Sequence, residues 1–137
     1  MRYKAWEQLQ SEINISAKEV IQTFEEGGIH LENIEDITNH VSKGLYGEPS
    51  LAFDTTFRQE KSYSIGILEY QDWSIANHTF EFQKEYLETN SLDYEGGLFL
   101  HGAVVVIIDP PNKNLVTQLQ KILMDRYNLT QQETQTN

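Results

Sequence analysis

The stretch GGLFLHGAVVVIIDPPNKNLVTQLQKILMDRYN, residues 96 to 128, holds the most apolar run of the chain and stops it at an acid and two prolines. Proline gives a sheet ladder no N–H and keeps the residue before it extended. Residues 98 to 108 therefore predict an apolar strand, central in a sheet, that ends at Asp109. Asn112 can cap the helix that follows, whose stripe is Leu115, Leu119, Ile122 and Leu123, with Asn128 near its end. An apolar strand ending in an acid is also the form of a magnesium-holding strand beside a phosphate loop. That site needs G-x-x-x-x-G-K-S/T, which is absent; in KGLYGEPS, residues 43 to 50, the lysine precedes the glycines. Asp109 reads as a turn residue between strand and helix.

Toward the N-terminus the hydrophobic period is two. Leu51, Phe53 and Phe57 alternate with Ala52, Asp54 and Thr56; Tyr63, Ile65 and Ile67 alternate with Ser64, Gly66 and Leu68. Phe80, Phe82 and Tyr86 alternate with Thr79, Glu81 and Glu85, which predicts a further strand. Earlier still the period lengthens. Tyr3, Trp6, Leu9 and Ile13 mark a helix over about residues 2 to 13, and Ser16 with Glu19 forms a capping box before Val20, Ile21 and Phe24. Leu31, Ile34, Ile37 and Val41 suggest a third helix, closed by Gly44.

These readings combine into an α+β fold: N-terminal helices, a four-stranded, mainly antiparallel sheet, and a C-terminal helix packed on one face. With 137 residues the chain has the size of one domain, expected over residues 1 to 129. The last residues, TQQETQTN from Thr130, have no apolar anchor and are expected to form a polar, disordered tail.

Several chemistries are missing. There is no cysteine, so disulfides, thiol nucleophiles and thiolate metal sites are excluded together. His30, His40, His78 and His101 are too widely spaced for a helical or strand ligand pair, although His78, His101 and Asp54 would converge if they lay on neighbouring strands. No lysine has an acid two residues before it, and no G-x-S-x-G elbow occurs. We expect no catalytic residue, no metal and no cofactor. The N-terminus lacks the apolar core of a signal peptide and no run approaches a membrane span, so a cytoplasmic, non-membrane protein is expected.

Charge supplies the positive signal. The net charge is -11. Residues 19 to 36 carry six acids and no lysine or arginine; residues 69 to 95 carry seven acids against Lys84 alone. Such a field repels phosphate backbones and anionic lipid and attracts a basic protein. The second segment mixes its acids with aromatics, a composition that steers a partner and then anchors it. The expected partner-binding residues are Glu69, Tyr70, Asp72, Trp73, Glu81, Glu85, Glu88, Asp93 and Tyr94. The corresponding function is a small acidic module that neutralises or regulates a basic partner protein, as an immunity protein does for a toxin. The alternative is a phage or other assembly subunit acting through homo-oligomerisation, and an enzyme with an unrecognised cleft site stands last.

Overall fold

The computed structural model describes residues 2–41 and 43–136. Helix α1 (Arg2–Glu12) is followed by α2 (Ala17–Glu26), whose start carries the expected capping box: Ser16 accepts from the Glu19 N–H at 3.1 Å and Glu19 accepts from the Ser16 N–H at 3.1 Å. Each side chain satisfies an N–H that the first helical turn leaves open. Val20 and Phe24 of α2 are buried, and Leu9 and Ile13 join the same core. The side chain of Tyr3, assigned to that stripe by sequence, lies outside the described residues, as does Asn137.

The expected third helix is instead a strand, β1 (Leu31–Asp36), and a 3-10 turn, Thr38–His40. Its pairing with β2 (Leu51–Arg58) slips between Glu32 and Glu35, with Asn33 at φ 52°. A bulge inserts an extra residue into the alternation. The apolar residues of the expected stripe share no face: Leu31 is buried in one core, Ile34 is exposed, and Ile37 and Val41 pack against the other core.

Strand β3 (Ser62–Glu69) follows β2, both with the register the alternation predicts: Phe53, Phe57, Tyr63, Ile65 and Ile67 lie in one core. The strand expected at Phe80–Phe82–Tyr86 is a 17-residue helix, α4 (Trp73–Thr89), begun by Asp72, whose carboxylate accepts the Ile75 N–H at 3.0 Å. The single strand expected over residues 98 to 108 is a hairpin, β4 (Leu98–His101) and β5 (Val104–Asp109), because Gly102 takes φ 61° and turns the chain. A side chain at Gly102 would also strike the Ile13 carbonyl oxygen, 2.8 Å from the position of its Cβ. Helix α3 (Lys43–Tyr46) is one turn, and α5 (Lys113–Thr136) ends the fold. The polar segment from Thr130 begins within α5.

The fold is α+β, as read from the sequence, with an antiparallel sheet of five strands rather than four, in the order β1-β2-β3-β5-β4. Helices α2 and α5 cover one face, where Leu115, Val116, Leu119 and Leu123 meet Phe24, Ile65, Phe99 and Val106. Asn112 caps α5 as expected, accepting from the Leu115 N–H at 3.0 Å, and its amide donates to the Tyr63 hydroxyl at 2.7 Å. Helix α4 covers part of the other face over Ala52, Leu68, Leu98, Leu100 and Val105. None of the described helices is long and apolar enough to cross a membrane.

Candidate functional site

The nine residues singled out by charge separate into two groups. Glu69, Asp72 and Asp93 bind backbone. Glu69 accepts the Ala17 N–H at 2.7 Å and so closes the start of α2; Asp93 accepts the Gly96 N–H at 3.1 Å in the loop before β4. Tyr70 is 2% exposed, its hydroxyl donates to the Tyr46 carbonyl, and burial pushes its pKa up to about 12. Trp73 is half-buried against the core under α4. Tyr94 offers its ring to the Lys84 ammonium, 5.1 Å from the centroid, which occupies the one cation of α4.

Glu81, Glu85 and Glu88 remain. They lie three and four residues apart on α4, all exposed, and so form one acidic ridge. None of the three carboxylates has an ion-pair partner among the described residues.

Beside the ridge the helix exposes apolar side chains, of which the sequence reading had placed Phe82 and Tyr86 on the apolar face of a strand and Ile75 in no element. Ile75, Phe82 and Tyr86 are 41%, 51% and 49% exposed. Their spacing of seven and four places them along one line of the helix, about 16 Å long at 1.5 Å per residue. The helix buries Ala76, Thr79 and Gln83 in their place. Thr79 accepts no blame for a polar core contact, since its hydroxyl donates to the Ile75 carbonyl at 3.2 Å, and Gln83 donates to the Leu45 carbonyl at 3.2 Å. Next to Tyr86 a small apolar pocket of about 90 Å³ opens between Leu45, Leu87 and Ile107. A helix-wheel reading of residues 73 to 89 would have found the stripe; period two concealed it.

The other candidate chemistry disperses. His78 is exposed on α4, His101 is buried in β4, and Asp54 lies on β2, so the three do not converge. Among the described residues no group of three acidic or histidine side chains is placed to hold a metal ion. Asp109 ends β5 opposite Ser64 and borders a cleft of about 430 Å³ with Asp54, His40 and Tyr46; the Ser64 hydroxyl donates to Asp54 at 2.8 Å. Burial, with the Asp109 charge adding to it, raises the Tyr46 pKa.

Comparison with known protein families, with curated proteins and with solved structures found no match for the chain.

Proposed function

We propose that the protein is a small acidic binding module that neutralises or regulates a basic partner protein, and that the outer face of α4 is its contact surface. The observation that carries this reading is the apolar line Ile75–Phe82–Tyr86 beside the unpaired ridge Glu81–Glu85–Glu88. Aromatic side chains exposed on a rigid helix anchor a partner at small entropic cost, and the carboxylates beside them steer and orient a basic surface. Neither set contributes to the core, so the fold does not require them there.

The test is capture of partners from the native lysate at low and moderate salt, followed by affinity measurements on variants. One basic protein in stoichiometric amount is the expected result. Phe82→Ala with Tyr86→Ala should weaken that complex by about thirtyfold or more. Charge reversal at Glu81, Glu85 and Glu88 should slow association. Both variants should keep wild-type stability within about 0.5 kcal/mol, as exposed substitutions do. Unchanged affinity would remove α4 as the site, and recovery of the protein only as its own oligomer would replace this function with assembly.

A further inference from the structure

The two edges of the sheet are built differently. Strand β1 carries the bulge and exposes Glu35 and Asp36, features that keep another strand from pairing with it. Strand β4, LFLH, has no charge, bulge or proline. It is guarded only by what lies beyond it.

The ladder phase shows which groups β4 turns outward. Ile108 of β5 donates to the Gly97 carbonyl at 2.8 Å, on the β4 side, whereas the Ala103 carbonyl accepts from Tyr70 at 2.8 Å, on the β3 side. Along an antiparallel strand successive residues bond to opposite sides. Even-numbered residues of β5 therefore bond β4. With Phe99 opposite Val106 and His101 opposite Val104, Phe99 and His101 spend their backbone groups on β5. Leu98 and Leu100 point their N–H and C=O groups away from the sheet. They have no partner among the described hydrogen bonds, yet they are 4% and 5% exposed. Buried backbone groups are nearly always paired, and leaving them open is costly.

These groups face a trough of about 560 Å³ lined by all four residues of β4. Phe80 of α4 walls it on one side of the sheet plane, Val116 and Gln120 of α5 on the other, and Trp6 and Leu9 of α1 lie across it. The His101 ring, 3% exposed and without a hydrogen-bond partner among the described residues, lines the same space. Among the described residues α1 leaves the gap open, and its Gln10 carboxamide accepts the Gly102 N–H at 2.7 Å, beyond the end of β4.

We propose that this trough is a strand-addition site, which takes an extended, uncharged segment of another polypeptide as a sixth strand beside β4. Such a segment satisfies Leu98 and Leu100 with the bonds a ladder supplies, as in β-augmentation generally. Its side chains alternate between the Phe80 and Leu100 side and the Phe99 and Val116 side; the two charges that line the trough, Glu95 and Lys113, pair with each other at 2.9 Å, so a charged residue in the segment would find no partner and is disfavoured at either parity. The site is independent of the outer surface of α4.

Amide hydrogen exchange of the full-length protein tests it. In the free protein the Leu98 and Leu100 amides should exchange faster than those of Phe99 and His101. A capped hexapeptide of alternating valine and threonine, at millimolar concentration, should slow those two amides by about tenfold or more and leave the other edge, β1, unchanged. The same peptide N-methylated on the residues that face β4 should have no effect, while methylation of the alternate set should be tolerated. Slow exchange of Leu98 and Leu100 in the free monomer would overturn the proposal, because the edge would already be paired. So would an absence of protection with peptide, or protection that instead follows protein concentration as the mass doubles, which would make the occupant a second copy of this chain.

Discussion

His101 is a base kept from water at the end of β4, and the burial has a consequence in pH. Burial, with the Arg126 charge adding to it, lowers the imidazole pKa from 6.5 to about 4. Between those values the unfolded chain binds a proton that the folded chain refuses. Stability is therefore complete above pH 6.5 and falls as the pH drops toward 4, by on the order of 3 kcal/mol at 1.36 kcal/mol per pKa unit. Glu19, whose carboxyl is held low by its hydrogen bond to Arg126 at 2.9 Å, loses its contribution in the same acid direction, weakly because the pair is half-exposed. Denaturant midpoints of the wild type should decline from pH 6.5 to 4, and His101→Leu should flatten that decline. An equal decline in the variant would assign it to other groups. The position of His101 in a strand was legible from its neighbours Leu98 and Leu100, but its burial depended on α5 packing against β4 and on Gln10 of α1 reaching Gly102 beside it, which no local pattern announces.

At the scale of elements, α4 is where the sequence misled most. Phe80, Phe82 and Tyr86 alternate as a strand would, and the face the helix buries is Ala76, Thr79 and Gln83, two of them polar. A helix whose buried stripe is small and hydrogen-bonded gives no apolar signal at a period of 3.6. The sign that was present is Asp72, which holds the first-turn N–H of Ile75. Asp72→Ala should cost about 1 kcal/mol, or a few degrees in the thermal midpoint, whereas Asp72→Asn should restore most of it. Circular dichroism melting of the two variants checks this. A loss of partner binding in Asp72→Ala with no loss of stability would instead return Asp72 to the contact surface. The hairpin β4–β5 was missed for a related reason, since Gly102 and Ala103 are too apolar to stand out within residues 98 to 108.

Over the whole molecule the acid is divided. Residues 19 to 36 lie on α2, packed on one face of the sheet, and on the β1 edge, while residues 69 to 95 run into α4 on the opposite face. A helix layer is about 10 Å thick, so the acids of α2 and those of α4 are about 20 Å apart across the sheet, and those of β1 lie at its far edge. Screening at physiological salt acts within about 8 Å. For association through α4, converting Glu25, Glu26, Glu32 and Glu35 to glutamine should leave the salt dependence of the association rate nearly unchanged, although it removes more charge than the same conversion of Glu81, Glu85 and Glu88, which should flatten it. Stopped-flow association over a salt series separates the two, and the reverse ranking would move the contact surface to α2 and β1.

What the sequence by itself determined is whatever rests on neighbours in the chain: the capping box at Ser16 and Glu19, the Asn112 cap, the alternation of β2 and β3, the break at Asp109, and the net charge. Each depends on a few adjacent residues and on backbone hydrogen bonding that tolerates no other arrangement. The tertiary structure alone decided that Phe82 and Tyr86 face outward, that the acids form two surfaces rather than one, and that β4 is an edge with open groups. Those properties depend on which elements become neighbours: burial of the large apolar faces of β2, β3 and β5 sets that arrangement, and α4 exposes what its neighbours leave uncovered.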